Sequence, residues 1–276
     1  LPGIELDKKV TPTASIQEAL AGTEIVFEAI PVLFLREVIE QVKPFVSKDQ
    51  AWVSLSKGIE QKTLQLPAQV IKDVLGDSCK TAVLGGPNFA QEVAQKHYSA
   101  ATIASQDEKF AAQVGTLLSN DYFRSYISSD EIGIAAGGAL KNVLSVFLGI
   151  IIGAGYSRNT ISFLFTCALD EMAMITEVMG GKRETAYGLS GLGDLILSGM
   201  GEGGRNQNVG KMIGQGTPLN EIASMMPVLP EGINATRAVK QVIQKLALDV
   251  PICLATYQIV FEGKSCRVFV DEFMKS

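Results

Sequence analysis

The chain has 276 residues, of which 47% are hydrophobic and 19% are charged, and its formal net charge is -5. This length suits two domains with their own cores, and the composition is too apolar for a disordered protein. The acidic balance and the lack of a basic run argue against a nucleic-acid-binding protein. The longest uncharged apolar stretch, residues 146–155, is shorter than the roughly 18 residues of a membrane span, so we predict a buried helix there and no membrane span.

The first 130 residues alternate short β-type runs with helical ones. Strands are predicted at 24–29, 51–56, 81–84, 100–104 and 122–127, and helices at 33–46, 64–75 and 107–118. A further helix is expected to open at residues 86–88. Alternation of this kind is typical of βαβ units in a largely parallel sheet, with ligand sites at the carboxyl ends of the strands.

From residue 131 onwards the β-type pattern stops and the chain is predicted to be helical. The predicted helices cover 131–152, 160–179, 206–213, 219–226, 233–246 and 252–261, with glycine-rich segments between them. We therefore predict an α/β Rossmann-type domain over residues 1–130, followed by an all-α domain over residues 131–276.

The few cysteines and the single histidine limit the metal-binding and acid–base chemistry that the chain can carry out. The cysteines Cys79, Cys167, Cys253 and Cys266 lie far apart, which is typical of reduced thiols in a cytosolic protein. The single histidine, His97, lies in a polar stretch, where we expect a solvated loop residue. Zinc sites with several histidines are excluded, no metal site is predicted, and acid–base chemistry must come from other side chains.

Generic phosphate-binding motifs are missing from the sequence. No G-x-G-x-x-G is present, and the nearest segment, residues 201–206, ends in Asn and follows no strand. Residues 263–265 resemble the end of a P-loop, but Gln258 stands where its first glycine should be. These motifs alone would indicate only an α/β plus α protein.

Lys141 is the most informative charged residue, because it lies in a strongly apolar helical segment. The ordinary interpretation is a lysine that extends from a helix edge into solvent. If the ammonium is instead buried, its pKa should fall toward neutrality. Such a lysine can give a proton to the alkoxide that forms when a hydride reaches a ketone, and take it back in reverse.

Other polar residues stand where ligands bind in such folds. Lys57 directly follows a predicted strand, although a lysine at a strand end is commonplace. Asp194 follows Gly-Leu-Gly, a position typical of a helix N-cap. Arg205 follows a glycine-rich segment at a predicted helix start, which suits a phosphate dianion, although a solvated loop arginine is the simpler alternative.

Four segments occur together in a fixed order: residues 56–60 (SKGIE), 86–90 (GPNFA), 138–142 (GALKN), and 191–195 (GLGDL) followed by 205–206 (RN). In this combination the chain resembles the bacterial and plastid type of NAD(P)-dependent glycerol-3-phosphate dehydrogenase, from residue 1 to about 255. The resemblance implies reversible reduction of dihydroxyacetone phosphate to sn-glycerol 3-phosphate, with NAD or NADP as cofactor. It also implies a cytoplasmic or plastid enzyme with a small-molecule substrate, for which a homodimer is a candidate assembly.

The resemblance assigns roles to individual residues. It makes Lys141 the acid–base residue, oriented by the carboxylate of Asp194. The implied substrate contacts are Lys57, Gly86, Asn88, Lys141, Asp194, Gly204, Arg205 and Asn206. The implied cofactor contacts are Lys57, Ala90, Arg205, Leu229 and Glu231, the last of these read as a loop carboxylate.

The chain departs from the family pattern in three places. Gly204 replaces a serine, and residues 198–200 (SGM) replace Thr-Cys-Thr, so one hydroxyl donor to the substrate phosphate is missing. The first strand, the glycine-rich turn and the second strand, about 30 residues or more by the size of a βαβ unit, do not precede Leu1. We therefore expect an N-terminally incomplete Rossmann domain from a longer protein, and the choice between NAD and NADP stays open.

Two other interpretations stay open at this point. A 3-hydroxyacid or ketopantoate-type reductase would share the architecture and the helical lysine, but would not need a phosphate site at Arg205 and Asn206. A truncated, non-catalytic paralogue would keep at most a sugar-phosphate pocket.

Overall fold

A sheet flanked by helices, followed by a cluster of helices, makes up the computed structural model, which describes residues 3–5, 7–201 and 203–275. Leu1, from which the resemblance was counted, and Glu202, in the glycine-rich loop, lie outside the described residues. This arrangement agrees with the predicted α/β Rossmann-type part followed by an all-α part.

The sheet of the described chain has its strands in the spatial order β1 to β5. They are β1 (Ile25–Glu28), β2 (Ala51–Ser54), β3 (Thr81–Gly85), β4 (Ser99–Ala104) and β5 (Phe123–Ser128). All neighbouring pairs are parallel except β3 and β4, which are antiparallel. A parallel link needs a crossover helix, whereas β3 and β4 are joined by a segment with one helix of five residues, too short to run back along the sheet.

The helices of this part are α1 (Ile16–Leu20), α2 (Val32–Val42), α3 (Pro67–Leu75), α4 (Ala90–Ala94) and α5 (Glu108–Leu118). The helix predicted over 33–46 ends at Val42 and continues as a 3-10 turn, Lys43–Phe45, since Pro44 has no N–H for an α-helical bond. Helix α1, which is five residues long, was not predicted from the sequence.

The second part consists of α6 (Glu131–Gly153), α7 (Arg158–Val178), α8 (Arg205–Gly214), α9 (Leu219–Met225), α10 (Glu231–Leu246), α11 (Pro251–Glu262) and α12 (Cys266–Phe273). Only α6, among the described helices, is long and apolar enough to cross a membrane by length and composition. Its whole apolar window is buried inside the protein, so α6 is the central core helix. Within the apolar stretch the predicted helix runs to Gly153, and it is buried as far as Ile151.

Glycines bring α6 and α8 into close contact. They are Gly149 and Gly153 on α6 and Gly210 and Gly214 on α8. A Cβ added to any of the four would lie 2.1–2.2 Å from a backbone carbonyl oxygen of the other helix. The backbones can approach this closely only because no side chain separates them. The N-terminus of α8 is thereby held beside the middle of α6.

The segment between α7 and α8 departs from α-helical winding in both directions. A 3-10 turn (Arg183–Tyr187) is followed by two π-helical turns, Leu189–Gly193 and Ile196–Met200. The prediction that Asp194 caps a helix N-terminus is therefore wrong, because Asp194 has helical backbone angles between the two π-helical turns. Glycine permits this winding, since a Cβ at Gly191 would lie 2.0 Å from the carbonyl oxygen of Ala186.

The four cysteines are all free, as predicted. His97 is exposed and lies outside helices and strands, after α4, which confirms its interpretation as a loop residue.

Candidate active site

Three charged side chains from distant parts of the chain meet between the sheet and the helices. Lys57 follows β2, Lys141 lies in the middle of α6, and Asp194 lies between the π-helical turns. The Lys141 Nζ atom is 3.0 Å from Asp194 Oδ1, and the Lys57 Nζ atom is 2.5 Å from Asp194 Oδ2. The Asp194 side chain is 2% exposed and that of Lys141 is 9% exposed, whereas that of Lys57 is 21% exposed. One buried carboxylate thus binds two ammonium groups, and that of Lys141 is almost fully buried.

The surroundings of Lys141 lower its pKa from the ordinary lysine value. Burial is the largest cause, since it disfavours the charged form. The Asp194 carboxylate and, more weakly, Glu231 act in the opposite direction, while the positive charge of Lys57 adds to the lowering. The direction of the shift is the one expected for a lysine in so apolar a helix. Lys141 can therefore exchange its proton more easily than a solvated lysine.

The segment after β3 lies against Lys57. The carbonyl oxygen of Gly86 accepts a hydrogen bond from Lys57 Nζ at 3.2 Å, and Asn88 Nδ2 donates to the carbonyl of Ala100 at 3.1 Å. The helix expected to open at residues 86–88 instead begins at Ala90, which is exposed at the first position of α4. The predicted helix start at residues 86–88 is therefore wrong, because these residues form a bend before the helix.

The start of α8 lies where the sequence predicted it. Gly204 is the N-cap residue and provides no side-chain cap, and the exposed Arg205 and half-buried Asn206 occupy the first turn. A Cβ at Gly204 would lie 2.4 Å from the carbonyl oxygen of Ser198. The packing of residues 198 and 204 therefore leaves no room for a side chain at position 204.

A chain of amide hydrogen bonds, which the sequence did not reveal, joins the elements of the site. Asn142 Nδ2 donates to the carbonyl of Lys57 at 3.4 Å, Asn206 Nδ2 donates to Asn142 Oδ1 at 2.9 Å, and the amide of Gly232 donates to Asn206 Oδ1 at 2.9 Å. Asn142 is 4% exposed. The sequence feature that could have identified Asn142 is an amide side chain next to Lys141 in an otherwise apolar helix.

Glu231 is not a loop residue, as the sequence suggested, but the first residue of α10, after Pro230 at the N-cap. Burial raises the pKa of its carboxyl group, while the charges of Arg205, Lys141 and Lys57 lower it. Glu231 thus lies within electrostatic reach of both lysines and of the start of α8.

A cleft of about 670 Å³ opens beside Lys57. Lys57, Leu229 and Glu231 line it, whereas Ala90 and Arg205 are not among its lining residues. Apolar side chains that the protein leaves uncovered, Leu33 at 64% and Phe34 at 51% exposed, form another part of its wall. Exposed apolar surface beside charged groups fits a ligand with flat rings and polar ends, such as a nicotinamide dinucleotide.

Comparisons with known proteins agree with one family. The profile of the NAD-dependent glycerol-3-phosphate dehydrogenase N-terminus matches residues 1–111, and that of the C-terminus matches residues 130–271. Glycerol-3-phosphate dehydrogenase, NAD(P)+, of Syntrophomonas wolfei is 38% identical over 100% of this chain and 81% of its own length. The crystal structure of glycerol-3-phosphate dehydrogenase from Coxiella burnetii superposes with a TM-score of 0.94 at 29% identity, over 100% of this chain and 84% of that chain.

The architecture extends to other reductases. A ketopantoate reductase from Ralstonia eutropha JMP134 covers 93% of this chain and 78% of its own, with a TM-score of 0.56 and 12% identity. This likeness shows the fold alone.

Proposed function

The chain belongs to the NAD-dependent glycerol-3-phosphate dehydrogenase family, and we propose that Lys141 is the acid–base group of its reaction. The reaction is the NAD(P)-dependent, reversible reduction of dihydroxyacetone phosphate to sn-glycerol 3-phosphate. The observation that carries the role of Lys141 is its buried ammonium, held 3.0 Å from the carboxylate of Asp194.

The residues in and around the cleft support separate roles for the two parts of the chain. Residues 1–130 would bind the cofactor, and residues 131–276 would supply the substrate and catalytic groups. Lys57, Leu229 and Glu231 in the cleft would hold NAD or NADP. Ala90 and Arg205 would make further cofactor contacts at its edges. When bound, the cofactor supplies the hydride that reduces the carbonyl carbon of the substrate.

Lys141 gives its proton to the carbonyl oxygen as that oxygen gains negative charge, and it takes the proton back in the reverse direction. Its lowered pKa makes the proton easier to release, and Asp194 keeps the ammonium in place. Lys57 and Lys141 together carry one more positive charge than Asp194 neutralises. In a site of low exposure this excess charge stabilises a developing alkoxide.

The substrate phosphate would lie at the start of α8. Free backbone amides at this end of the helix and the Arg205 guanidinium both attract a dianion. Asn206, Asn88 and the backbone of Gly86 and Gly204 would complete the substrate contacts. This phosphate site distinguishes the function from a ketopantoate-type reductase, whose substrate has no phosphate, and the intact lysine pair argues against a non-catalytic paralogue.

We further place the enzyme in the cytoplasm, in keeping with its bacterial relatives and free cysteines, with a homodimer as the candidate assembly. Gel filtration with light scattering would measure the assembly.

Lys141→Ala in the full-length protein tests the assignment. We expect turnover, followed as dihydroxyacetone-phosphate-dependent oxidation of NAD(P)H, to fall by roughly 100- to 10,000-fold, while cofactor binding measured by fluorescence is retained. Lys245→Ala, which removes an exposed lysine at the end of α10, is the matched control and should behave as wild type. Turnover of Lys141→Ala within tenfold of wild type would contradict the assignment, and a preference for a keto acid over dihydroxyacetone phosphate would contradict the substrate.

A further inference from the structure

Two buried serines lie one helical turn beyond Lys141 and Asp194. Ser145 follows Lys141 on α6, and Ser198 follows Asp194 in the second π-helical turn. They are 0% and 4% exposed, and their hydroxyl oxygens are 2.8 Å apart. Although 53 residues separate them in the chain, they form a direct link between the two backbone segments that carry the ion pair.

Each hydroxyl also lies close to a backbone carbonyl. Ser145 Oγ is 2.7 Å from the carbonyl oxygen of Lys141, and Ser198 Oγ is 2.6 Å from that of Asp194. A hydroxyl has one proton to donate, so two protons serve three contacts. Two hydroxyl oxygens 2.8 Å apart need a proton between them, so one serine donates to the other. The accepting serine then donates to its own carbonyl, Ser198 to that of Asp194 or Ser145 to that of Lys141. A continuous chain of hydrogen bonds exists in either arrangement, and in both it crosses from α6 to the π-helical turn.

The packing around the pair is close and apolar. Gly199 follows Ser198, and a Cβ there would lie 2.6 Å from a methyl carbon of Leu148 on α6. The carbonyl of Gly199 in turn accepts a hydrogen bond from Gln207 Nε2 of α8 at 2.5 Å. With so little exposure no bulk water can replace a lost hydroxyl, so removing one leaves the other bonded only to the carbonyl of its own segment and breaks the link between the two segments.

We propose that Ser145 and Ser198 are positioning residues, whose hydroxyl bridge fixes the turn bearing Asp194 against α6 and so sets the contact between Asp194 and Lys141. The bridge extends the proposed function, on which it rests for its catalytic consequence. Neither hydroxyl needs to touch the substrate. The bridge acts through the distance from the carboxylate to the ammonium.

The test compares Ser145→Ala, Ser198→Ala and the double variant in the full-length protein. We expect each single variant to lower kcat for dihydroxyacetone phosphate reduction by roughly tenfold, with the KM of the substrate changed less than about twofold. The double variant should be no slower than the worse single variant, because both changes break one bridge. The control is Thr256→Val on α11, which removes a buried hydroxyl bonded at 2.8 Å to the carbonyl of Ile252 and should leave kcat unchanged.

A pH profile separates positioning from a general loss of packing. Asp194 and Glu231 raise the pKa of Lys141, whereas burial and Lys57 lower it. A looser Asp194 contact therefore lowers this pKa further. Since reduction needs the protonated lysine, the alkaline limb of kcat should move to lower pH. The alkaline limb of kcat for Thr256→Val should stay at the wild-type pH.

An NMR titration of 13C-labelled lysine side chains, with Lys141 assigned from Lys141→Met, measures the same effect without substrate. A lower Lys141 pKa in Ser145→Ala is the expected result. If the wild-type protein does not reduce dihydroxyacetone phosphate, the proposed function fails, and the titration still tests the bridge. If wild type is active but the serine variants match Thr256→Val in kcat, pH limb and titration, or their effects simply add, the bridge is refuted. Ser145→Cys, with a weaker donor of similar size, replaces an alanine variant that does not fold.

Discussion

The contact between α6 and α8 determines where the start of α8 lies, and Gly210→Ala perturbs that contact directly. A Cβ at position 210 would lie 2.1 Å from the carbonyl oxygen of Val146 and 2.9 Å from the Cα of Gly149. Because carbon–oxygen contacts normally exceed about 3 Å, the two helices must separate by roughly 1 Å to admit the methyl group. No rotation of a side chain can relieve this clash, since the atoms met first are backbone.

The separation has consequences for both stability and activity. Inserting a methyl group into a well-packed contact costs about 1–3 kcal/mol. The same movement takes Arg205 and Asn206, at the start of α8, away from Lys141 and Asn142 on α6. A displacement of about 1 Å between groups that hold a substrate can lower the rate by roughly 100-fold. We therefore expect kcat/KM for dihydroxyacetone phosphate to fall by between about 10- and 100-fold.

Steady-state kinetics and urea unfolding of the full-length protein measure the two effects. Gly115→Ala in α5 is a matched control, because its Cβ would meet first the terminal methyl carbon of Ile127, at 2.7 Å, and a side-chain end can move aside. The control should lose little stability and no activity. The reasoning is refuted if Gly210→Ala and Gly115→Ala have the same stability and the same kcat/KM.

Two further predictions concern other charged groups. Glu171 accepts hydrogen bonds from the amides of Ile252 and Cys253 at 2.6 and 2.8 Å, and burial raises its pKa from 4.5 to about 7. Because the folded-state pKa is raised, Glu171 stabilises the fold fully below about pH 4.5, and this contribution is lost as the pH rises through 7. Glu171→Gln should therefore be more stable than wild type at pH 8, by up to about 3 kcal/mol. At pH 5 the variant should have no such advantage. Urea unfolding at both values checks this, and a difference independent of pH would contradict it. Arg205→Ala should raise the KM for dihydroxyacetone phosphate by roughly 10- to 100-fold with a smaller change in kcat, whereas Lys211→Ala on the same helix should not; an unchanged KM would move the phosphate site elsewhere.

The sequence predicted those features that depend on local pattern. Hydrophobic periodicity and the glycine-rich segments between elements predict the alternation of strands and helices up to residue 130. They also predict the helices that follow. Lys141 could be singled out because a charge inside a long apolar helix is unusual, and its lowered pKa follows from the same burial. The helix start at Arg205 follows from the glycines before it.

Features that depend on partners far along the chain were not predictable. The hydrogen bond between Asn142 and Asn206 spans 64 residues, and the serine bridge spans 53. No local sequence period identifies such pairs, because neither residue differs from an ordinary polar residue in its own segment. Only the folded chain brings the two partners together. The reversed direction of β4 depends on the length of α4, and the π-helical turns around Asp194 depend on glycine contacts with Ala186.

Residues 198, 199 and 204 form one packed unit against α6. Gly204 faces the carbonyl of Ser198, whose hydroxyl faces Ser145, while Gly199 packs on Leu148. A serine at position 204 would collide with the backbone at 198 unless the second π-helical turn moved, and that movement would disturb the bridge to α6. Positions 198 and 204 are therefore coupled through space. Close packing of the turn that holds Asp194 thus leaves no room for a side chain at position 204, and the proposed phosphate site rests on Arg205 and the backbone amides of α8.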